Sequence, residues 1–133
     1  MINVGIIGYG KMGQIRHKEI LKMDNASVVS IYEPSNFDVD FKIKKSSDPD
    51  QIINDPEIDA IFICTPNYLN KPLTISGLRS GKHVFCEKPP AFNEKDIIEI
   101  REIEKQSRKL LMYGFNHRHH GSIKHMKKLI DNN

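Results

Sequence analysis

Short apolar runs alternate with amphipathic stretches along the whole chain. The runs are rich in branched aliphatic residues and are bounded by glycine, proline or acidic residues; they lie at 3–7, 27–32, 60–64, 83–86 and 110–115. Runs of this length and composition predict buried β-strands. The run at 60–64 is apolar on both faces, as a central strand of a parallel sheet requires.

Between the strands, apolar positions recur at helical spacing. Helices are predicted over 11–23, 69–80, 93–107 and 122–130, with a brief one starting at Asp48-Pro49. Asp48 and Asn93 are capping residues, and Gly81 stands where a left-handed residue ends a helix. The 93–107 helix is predicted to turn four isoleucines inward, Ile97, Ile98, Ile100 and Ile103.

The stretch from 35 to 47 carries a different pattern. Phe37, Val39, Phe41 and Ile43 alternate with polar residues, which predicts at least one short strand and leaves little room for a helix before it. Strands and helices otherwise alternate throughout. The chain therefore predicts an α/β fold with a doubly wound parallel sheet, a Rossmann fold in a single domain.

Composition narrows the class of protein. The chain has 133 residues, 38% hydrophobic and 28% charged, enough for one domain with a core. The net charge of +3 is small and the basic residues of the chain are interleaved with acidic ones, which indicates a solvated surface rather than a nucleic-acid partner.

No apolar run approaches the ~20 residues that span a bilayer, and the start of the sequence resembles no signal peptide. We expect a cytoplasmic protein with Cys64 and Cys86 reduced; a redox pair is the less favoured alternative.

A glycine-rich motif follows the first predicted strand and opens the first helix. Gly8 would allow a tight turn, Gly10 would let a pyrophosphate approach the backbone, and Gly13 would let helix and strand pack closely. The free amides at the helix start would hold the anion. The predicted cofactor-binding residues here are Gly8, Tyr9, Gly10, Lys11, Met12 and Gly13. The alternative, ordinary loop glycines, is disfavoured by this context.

Glu33 ends the second predicted strand, about twenty residues beyond the last glycine, where a carboxylate binds the adenosine ribose hydroxyls. A carboxylate would repel the 2′-phosphate of NADP, and no Arg or Lys follows until Lys42. The sequence therefore favours NAD as the cofactor, with NADP less favoured.

Four further motifs belong together as a set. They are Cys64-Thr65-Pro66-Asn67, Gly81-Lys82-His83-Val84, Glu87-Lys88-Pro89 and Gly114-Phe115-Asn116-His117-Arg118. With the glycine-rich turn, the chain resembles the N-terminal NAD(P)-binding Rossmann domain of the Gfo/Idh/MocA oxidoreductases. The resemblance covers essentially all 133 residues, in order and at close to the usual spacing.

The resemblance implies roles for several of these residues. Thr65, Pro66 and Asn67 would lie along the ribose and nicotinamide half of the cofactor, and Glu87 and Asn116 would join the cofactor-binding residues. Lys88 would lie beside the nicotinamide and the substrate hydroxyl as the catalytic residue. The resemblance also implies a cis peptide bond between Lys88 and Pro89.

The chain departs from the family at three places. Asn70 stands where many members carry histidine, and the segment from Pro34 to Asp59 is shorter than usual. Residues 1–120 correspond to the dinucleotide-binding domain and 121–133 to the start of a connection. From the resemblance we expect the family's C-terminal α/β domain, with most of the substrate pocket, to lie outside these 133 residues. We therefore expect the chain to bind NAD without turning over substrate, and to self-associate or expose an apolar patch.

The function implied by the resemblance is that of an NAD-dependent oxidoreductase. Such an enzyme would transfer hydride between a nicotinamide and a sugar, cyclitol or nucleotide-sugar hydroxyl. A non-catalytic NAD-binding or redox-sensing module is the main alternative, and a Rossmann-like methyltransferase is disfavoured by the Thr-Pro-Asn and Glu-Lys-Pro motifs. His117, His119 and His120 lack the ligand spacing of a zinc site, so no metal is expected.

Overall fold

Six parallel strands form one sheet in the computed structural model, which describes residues 1–40 and 42–132. In chain order the strands are β1 (Ile2–Ile7), β2 (Ala26–Tyr32), β3 (Lys44–Ser46), β4 (Ala60–Ile63), β5 (His83–Cys86) and β6 (Leu111–Tyr113). Their order across the sheet is β3-β2-β1-β4-β5-β6, and every neighbouring pair is parallel. The chain reverses its direction of travel across the sheet between β1 and β4, which opens a crevice at their carboxyl ends. The predicted Rossmann fold is confirmed.

In the part of the chain that the structure describes, five α-helices and one 3₁₀ helix connect or follow the strands. They are α1 (Lys11–Ile20), α2 (Pro49–Ile53), α3 (Asn67–Arg79), α4 (Glu94–Ser107), the 3₁₀ helix (Asn116–His119) and α5 (Gly121–Asp131). The predicted caps are confirmed: Asp48 accepts from the Gln51 amide and Asn93 from the Asp96 amide. Gly81 has a φ of 75°, the left-handed conformation expected at a helix end.

Alternate residues of the central strands point to opposite faces of the sheet, and each face has its own core. Ile7, Ile61 and Ile63 pack under α2, α3 and α4. Val4, Ile6 and Ile31, on the other face, pack with Ile20 of α1. Helices therefore cover both faces, which makes the sheet doubly wound.

The short strand predicted within residues 35–47 is confirmed as β3, but it lies after the alternating residues whose pattern indicated it. Residues 37–40 are not in a strand, β3 begins only at Lys44, and Phe41 lies outside the described residues. Phe37, Val39 and Ile43 pack instead against the core on the α1 face. Since no helix connects β2 to β3 in the described chain, we infer that these apolar side chains cover the sheet where such a helix would lie.

The inward stripe predicted for α4 is half right. Ile100 and Ile103 are buried, but Ile97 and Ile98 are exposed by 39% and 51%. Ile98 lies roughly 160° around the helix from Ile100, so the two cannot face the same core.

Residues 115–132 contribute no buried side chain to either core. α5 carries exposed Ile123, Met126, Leu129 and Ile130. None of the helices in the described part of the chain combines the length and apolar character that a bilayer crossing demands.

Candidate cofactor-binding cleft

A cleft of about 560 Å³ opens at the carboxyl edge of the sheet, beside β1, β2 and β4. Its size is typical of small-molecule sites, and its place at the switch point is where doubly wound sheets bind ligands. Most of its lining comes from the turn before α1, the end of β2 and the start of α3. The lining residues are Gly8, Gly10, Lys11, Met12, Tyr32, Glu33, Pro34, Cys64, Thr65, Pro66, Tyr68 and Leu69.

The three motif glycines meet different surroundings. Gly8 has a φ of 90°, and a Cβ there would lie 2.6 Å from the Cys64 carbonyl oxygen. A Cβ on Gly13 would collide with the Gly8 carbonyl oxygen, so only glycine allows this packing of turn and helix. A Cβ on Gly10 would meet nothing within 4 Å. The turn is therefore closed on the protein side and open on the side where a ligand could approach.

The start of α1 presents unsatisfied backbone donors. The helix bond at its start runs from the Gln14 amide to the Gly10 carbonyl at 3.1 Å, and no side chain caps the helix. The amides of Lys11, Met12 and Gly13 precede that bond and, in the described structure, have no acceptor. Together with the positive end of the helix dipole they suit a pyrophosphate. The residues present thus fit a dinucleotide.

Glu33 lines the cleft with its carboxylate held by two backbone amides. Oε2 accepts from the Tyr9 amide at 2.7 Å, and Oε1 accepts from the Ser35 amide at 3.1 Å. A carboxylate has about four acceptor positions, so each oxygen can still accept a ribose hydroxyl. The group is therefore oriented before any ligand binds.

The side chain of Tyr9 points away from the cleft. Its hydroxyl lies 2.6 Å from Nδ1 of His17, and its ring packs on Phe37 with centroids 5.3 Å apart. His17 is 8% exposed, and burial lowers its pKa from the usual 6.5. No sequence motif indicated this contact, in which Tyr9 lies just before α1 and His17 lies in the last turn of that helix.

The β4 end of the cleft brings together Cys64, Thr65 and Pro66, whereas Asn67, the first residue of α3, is exposed and outside the lining. Burial and, second, the negative charge of Glu87 raise the pKa of the Cys64 thiol to about 12. The thiol is therefore protonated at neutral pH and is a poor nucleophile. Cys86 is also a free cysteine.

Glu87 forms a buried ion pair at the end of β5. Its Oε1 accepts from Nε of Arg16 at 2.8 Å, and the same guanidinium donates to Oδ1 of Asn116 at 3.2 Å and lies over the ring of Phe85. Glu87 is only 7% exposed and neither it nor Asn116 lines the cleft. Both residues are thus engaged by α1 rather than by the cleft.

Lys88, the predicted catalytic residue, is exposed and has no hydrogen-bond or ion-pair partner among the described residues. The Lys88–Pro89 peptide bond is cis, which confirms that prediction.

Asn70, to which the sequence assigned no role, is fully buried. Its Nδ2 donates to the Glu87 carbonyl at 3.1 Å and to the Pro89 carbonyl at 2.8 Å. The sequence signal was a polar residue one helical turn after Thr65-Pro66-Asn67, which alone does not reveal its partners.

The three histidines of the C-terminal segment are exposed in or just after the 3₁₀ helix, at His117, His119 and His120. Across residues 1–40 and 42–132, no group of three or more His, Cys, Asp or Glu side chains is arranged to hold a metal ion.

Comparison with known proteins identifies the fold and the family. Residues 2–115 match the GFO_IDH_MocA family, described as an oxidoreductase family with an NAD-binding Rossmann fold. The chain is 33% identical to the myo-inositol 2-dehydrogenase of Thermotoga maritima, over 98% of this chain and 41% of the relative.

Two solved structures show the same fold at a TM-score of 0.88. One is the scyllo-inositol dehydrogenase of Lactobacillus casei with bound NAD(H) and scyllo-inositol, 28% identical over 99% of this chain and 41% of that one. The other is the biliverdin reductase of Synechocystis with biliverdin and NADP⁺, 25% identical over 98% and 43%. The chain spans 36% to 42% of the length of the curated relatives compared with it.

Proposed function

The chain belongs to the Gfo/Idh/MocA family of NAD-binding oxidoreductases, and from that premise we propose that it is the cofactor-binding part of an NAD-dependent dehydrogenase. The substrate would be a sugar, cyclitol or nucleotide-sugar with a hydroxyl at the reacting carbon. The observation that supports this best is the cleft itself, where open amides of α1 face the same space as the carboxylate of Glu33. The names of the relatives, two of which are inositol dehydrogenases, support the substrate class.

Of the residues proposed to hold the cofactor, those that line the cleft are Gly8, Gly10, Lys11, Met12, Glu33, Thr65 and Pro66. The turn and the start of α1 would bind the pyrophosphate, Glu33 the adenosine ribose, and the β4 end the nicotinamide half. The full set is Gly8, Tyr9, Gly10, Lys11, Met12, Gly13, Glu33, Thr65, Pro66, Asn67, Glu87, Lys88 and Asn116. Within this set, Tyr9 would act by orienting Glu33, to which its amide donates. Glu87 and Asn116 would act through Arg16, because the guanidinium of Arg16 donates to both of them.

Lys88 is proposed as the catalytic residue. When bound, the nicotinamide supplies the acceptor or donor of hydride at its C4 atom. The ammonium group of Lys88 would donate a hydrogen bond to the substrate oxygen and stabilise negative charge on that atom. Its exposure leaves the side chain able to reach across the cleft edge toward a substrate.

The organisation of the chain is also a proposal. Residues 1–120 would form the dinucleotide-binding domain and 121–133 the start of a connection, because residues 115–132 bury no side chain. The exposed apolar residues of α5 support self-association of the isolated chain. Two free cysteines are in keeping with a cytoplasmic location, and the small net charge gives no reason to expect a nucleic-acid partner.

The test is in two parts. A fluorescence titration of this chain with NADH should show saturable binding, and failure to bind at millimolar NADH would contradict the cofactor assignment. A scan of sugars, inositols and nucleotide-sugars with NAD⁺ should show no robust turnover, because the chain spans less than half the length of its relatives. Turnover by the isolated chain would show that the complete catalytic machinery lies within these 133 residues.

A further inference from the structure

One buried side chain holds the backbone on both sides of Lys88. The two carbonyls that accept from Nδ2 of Asn70 belong to Glu87 and Pro89, the residues immediately before and after Lys88. Both N–H groups of the amide are used in this way, and Asn70 has no exposed surface. The amide oxygen consequently faces the other way, where the Thr65 hydroxyl lies 3.4 Å from it.

The segment from Glu87 to Pro89 is also held from its other side, by α1. Arg16 binds the carboxylate of Glu87 and lies over Phe85, the residue two positions earlier. The backbone next to Lys88 is therefore tied to α3, and the neighbouring side chain is tied to α1. Lys88 itself remains exposed beyond these contacts.

We propose that Asn70 is a positioning residue that sets where Lys88 stands relative to the nicotinamide end of the cleft. The inference rests on the proposed function, in which Lys88 faces the nicotinamide and the substrate oxygen. Asn70 touches neither group and acts through the two carbonyls. An amide suits this work because it offers two donors in a fixed geometry and carries no charge that pH could change.

A reactive form of the cofactor can report the position of Lys88. Periodate cleaves the ribose diols of NAD⁺ to dialdehydes. A nearby lysine amine condenses with an aldehyde to an imine with loss of water, and added cyanoborohydride reduces the imine to a stable secondary amine. Peptide mass mapping then gives the yields at Lys88 and at Lys11, which lines the cleft beside the glycine-rich turn. Their ratio reports placement independently of how much probe is bound.

Two variants of Asn70 test the role. Asn70→Asp keeps the shape, but an ionised carboxylate donates to neither carbonyl, so the Lys88-to-Lys11 ratio should fall about ten-fold. Asn70→His retains one donor and should give an intermediate ratio. Asn25→Asp makes the same change at an exposed residue just before β2, at the other edge of the sheet, and should leave the ratio unchanged.

The outcomes separate this inference from the proposed function. Labelling of Lys11 but not Lys88 in the unmodified chain would overturn the proposed place of Lys88 and the inference with it. Labelling of both lysines at an unchanged ratio in the Asn70 variants would overturn the inference alone. Circular dichroism gives the folded fraction of each variant, and a fall in ratio no larger than the loss of folded protein would also count against a positioning role.

Discussion

The backbone amide of Tyr9 donates a 2.7 Å hydrogen bond to Oε2 of Glu33, across 24 residues of sequence. The bond joins the tip of the glycine-rich turn to the end of β2, so the same contact fixes the turn proposed to bind phosphate and the carboxylate proposed to bind ribose. Because Ser35 holds the second carboxylate oxygen, the orientation exists before the cofactor arrives.

The charge of Glu33 is expected to set the preference for NAD. The chain should bind NADH more tightly than NADPH. Glu33→Gln should reduce the ratio of the two affinities about ten-fold, because a neutral amide does not repel a 2′-phosphate. Titration calorimetry with both nucleotides measures the difference. Glu57→Gln, at an exposed residue away from the cleft, is the matched control. Equal affinities in the unmodified chain would contradict the prediction.

Alanine substitutions at Gly10 and Gly13 should affect NADH binding and the stability of the fold to different extents. Gly10→Ala places a methyl group in open space, so the free energy of unfolding should stay nearly unchanged while NADH affinity falls roughly ten-fold or more. Gly13→Ala forces a carbon against the Gly8 carbonyl and should lower the free energy of unfolding by roughly 1–3 kcal/mol. Urea denaturation and NADH titration of both variants give the two quantities. A stable Gly13→Ala chain that binds NADH normally would show that the turn can relax.

His17 should make the protein less stable in mild acid. Burial lowers its pKa in the folded chain below the usual 6.5, so under acid conditions the unfolded chain binds the proton more readily. The stability contributed by neutral His17 is therefore complete above about pH 6.5 and is lost as the pH falls from there toward the lowered value.

The pH dependence can be assigned by substitution. The Tm of the unmodified chain should drop between about pH 7.5 and pH 5, and His17→Gln should show a shallower drop. His119→Gln, at an exposed histidine, should behave like the unmodified chain. Identical slopes for all three proteins would rule out His17 as the source.

Removing one partner of the Arg16–Glu87 pair should lower the free energy of unfolding more than removing both charges does. Arg16→Met leaves a carboxylate that is 7% exposed without its cation, which should lower the free energy of unfolding by about 3 kcal/mol. The double variant Arg16→Met with Glu87→Gln should recover part of that loss, because no unpaired charge stays buried. Chemical denaturation of the two single variants and the double variant gives the coupling. Strictly additive effects would show that the pair does not act as a unit.

The features that the sequence predicted well are those decided within a few neighbouring residues. Strand runs, the helix caps at Asp48 and Asn93, the left-handed Gly81 and the glycine-rich turn all follow from local spacing and backbone preference. Membership of the family depends on short motifs in order, and it too could be seen from the sequence alone.

The tertiary structure decided which side chains meet. The contacts of Glu87 with Arg16 and of Asn70 with the Pro89 carbonyl join residues 71 and 19 positions apart. They depend on how α1 and α3 sit at the end of β5, which no local pattern specifies. The alternation at 37–43 shows the same limit: it marks these residues as half-buried, but whether they pair in a sheet or cover its face depends on the absence of a helix between β2 and β3 in the described chain. Local chemistry thus determined the elements and the cofactor motif, while packing between distant segments determined the support of Lys88 and Glu33.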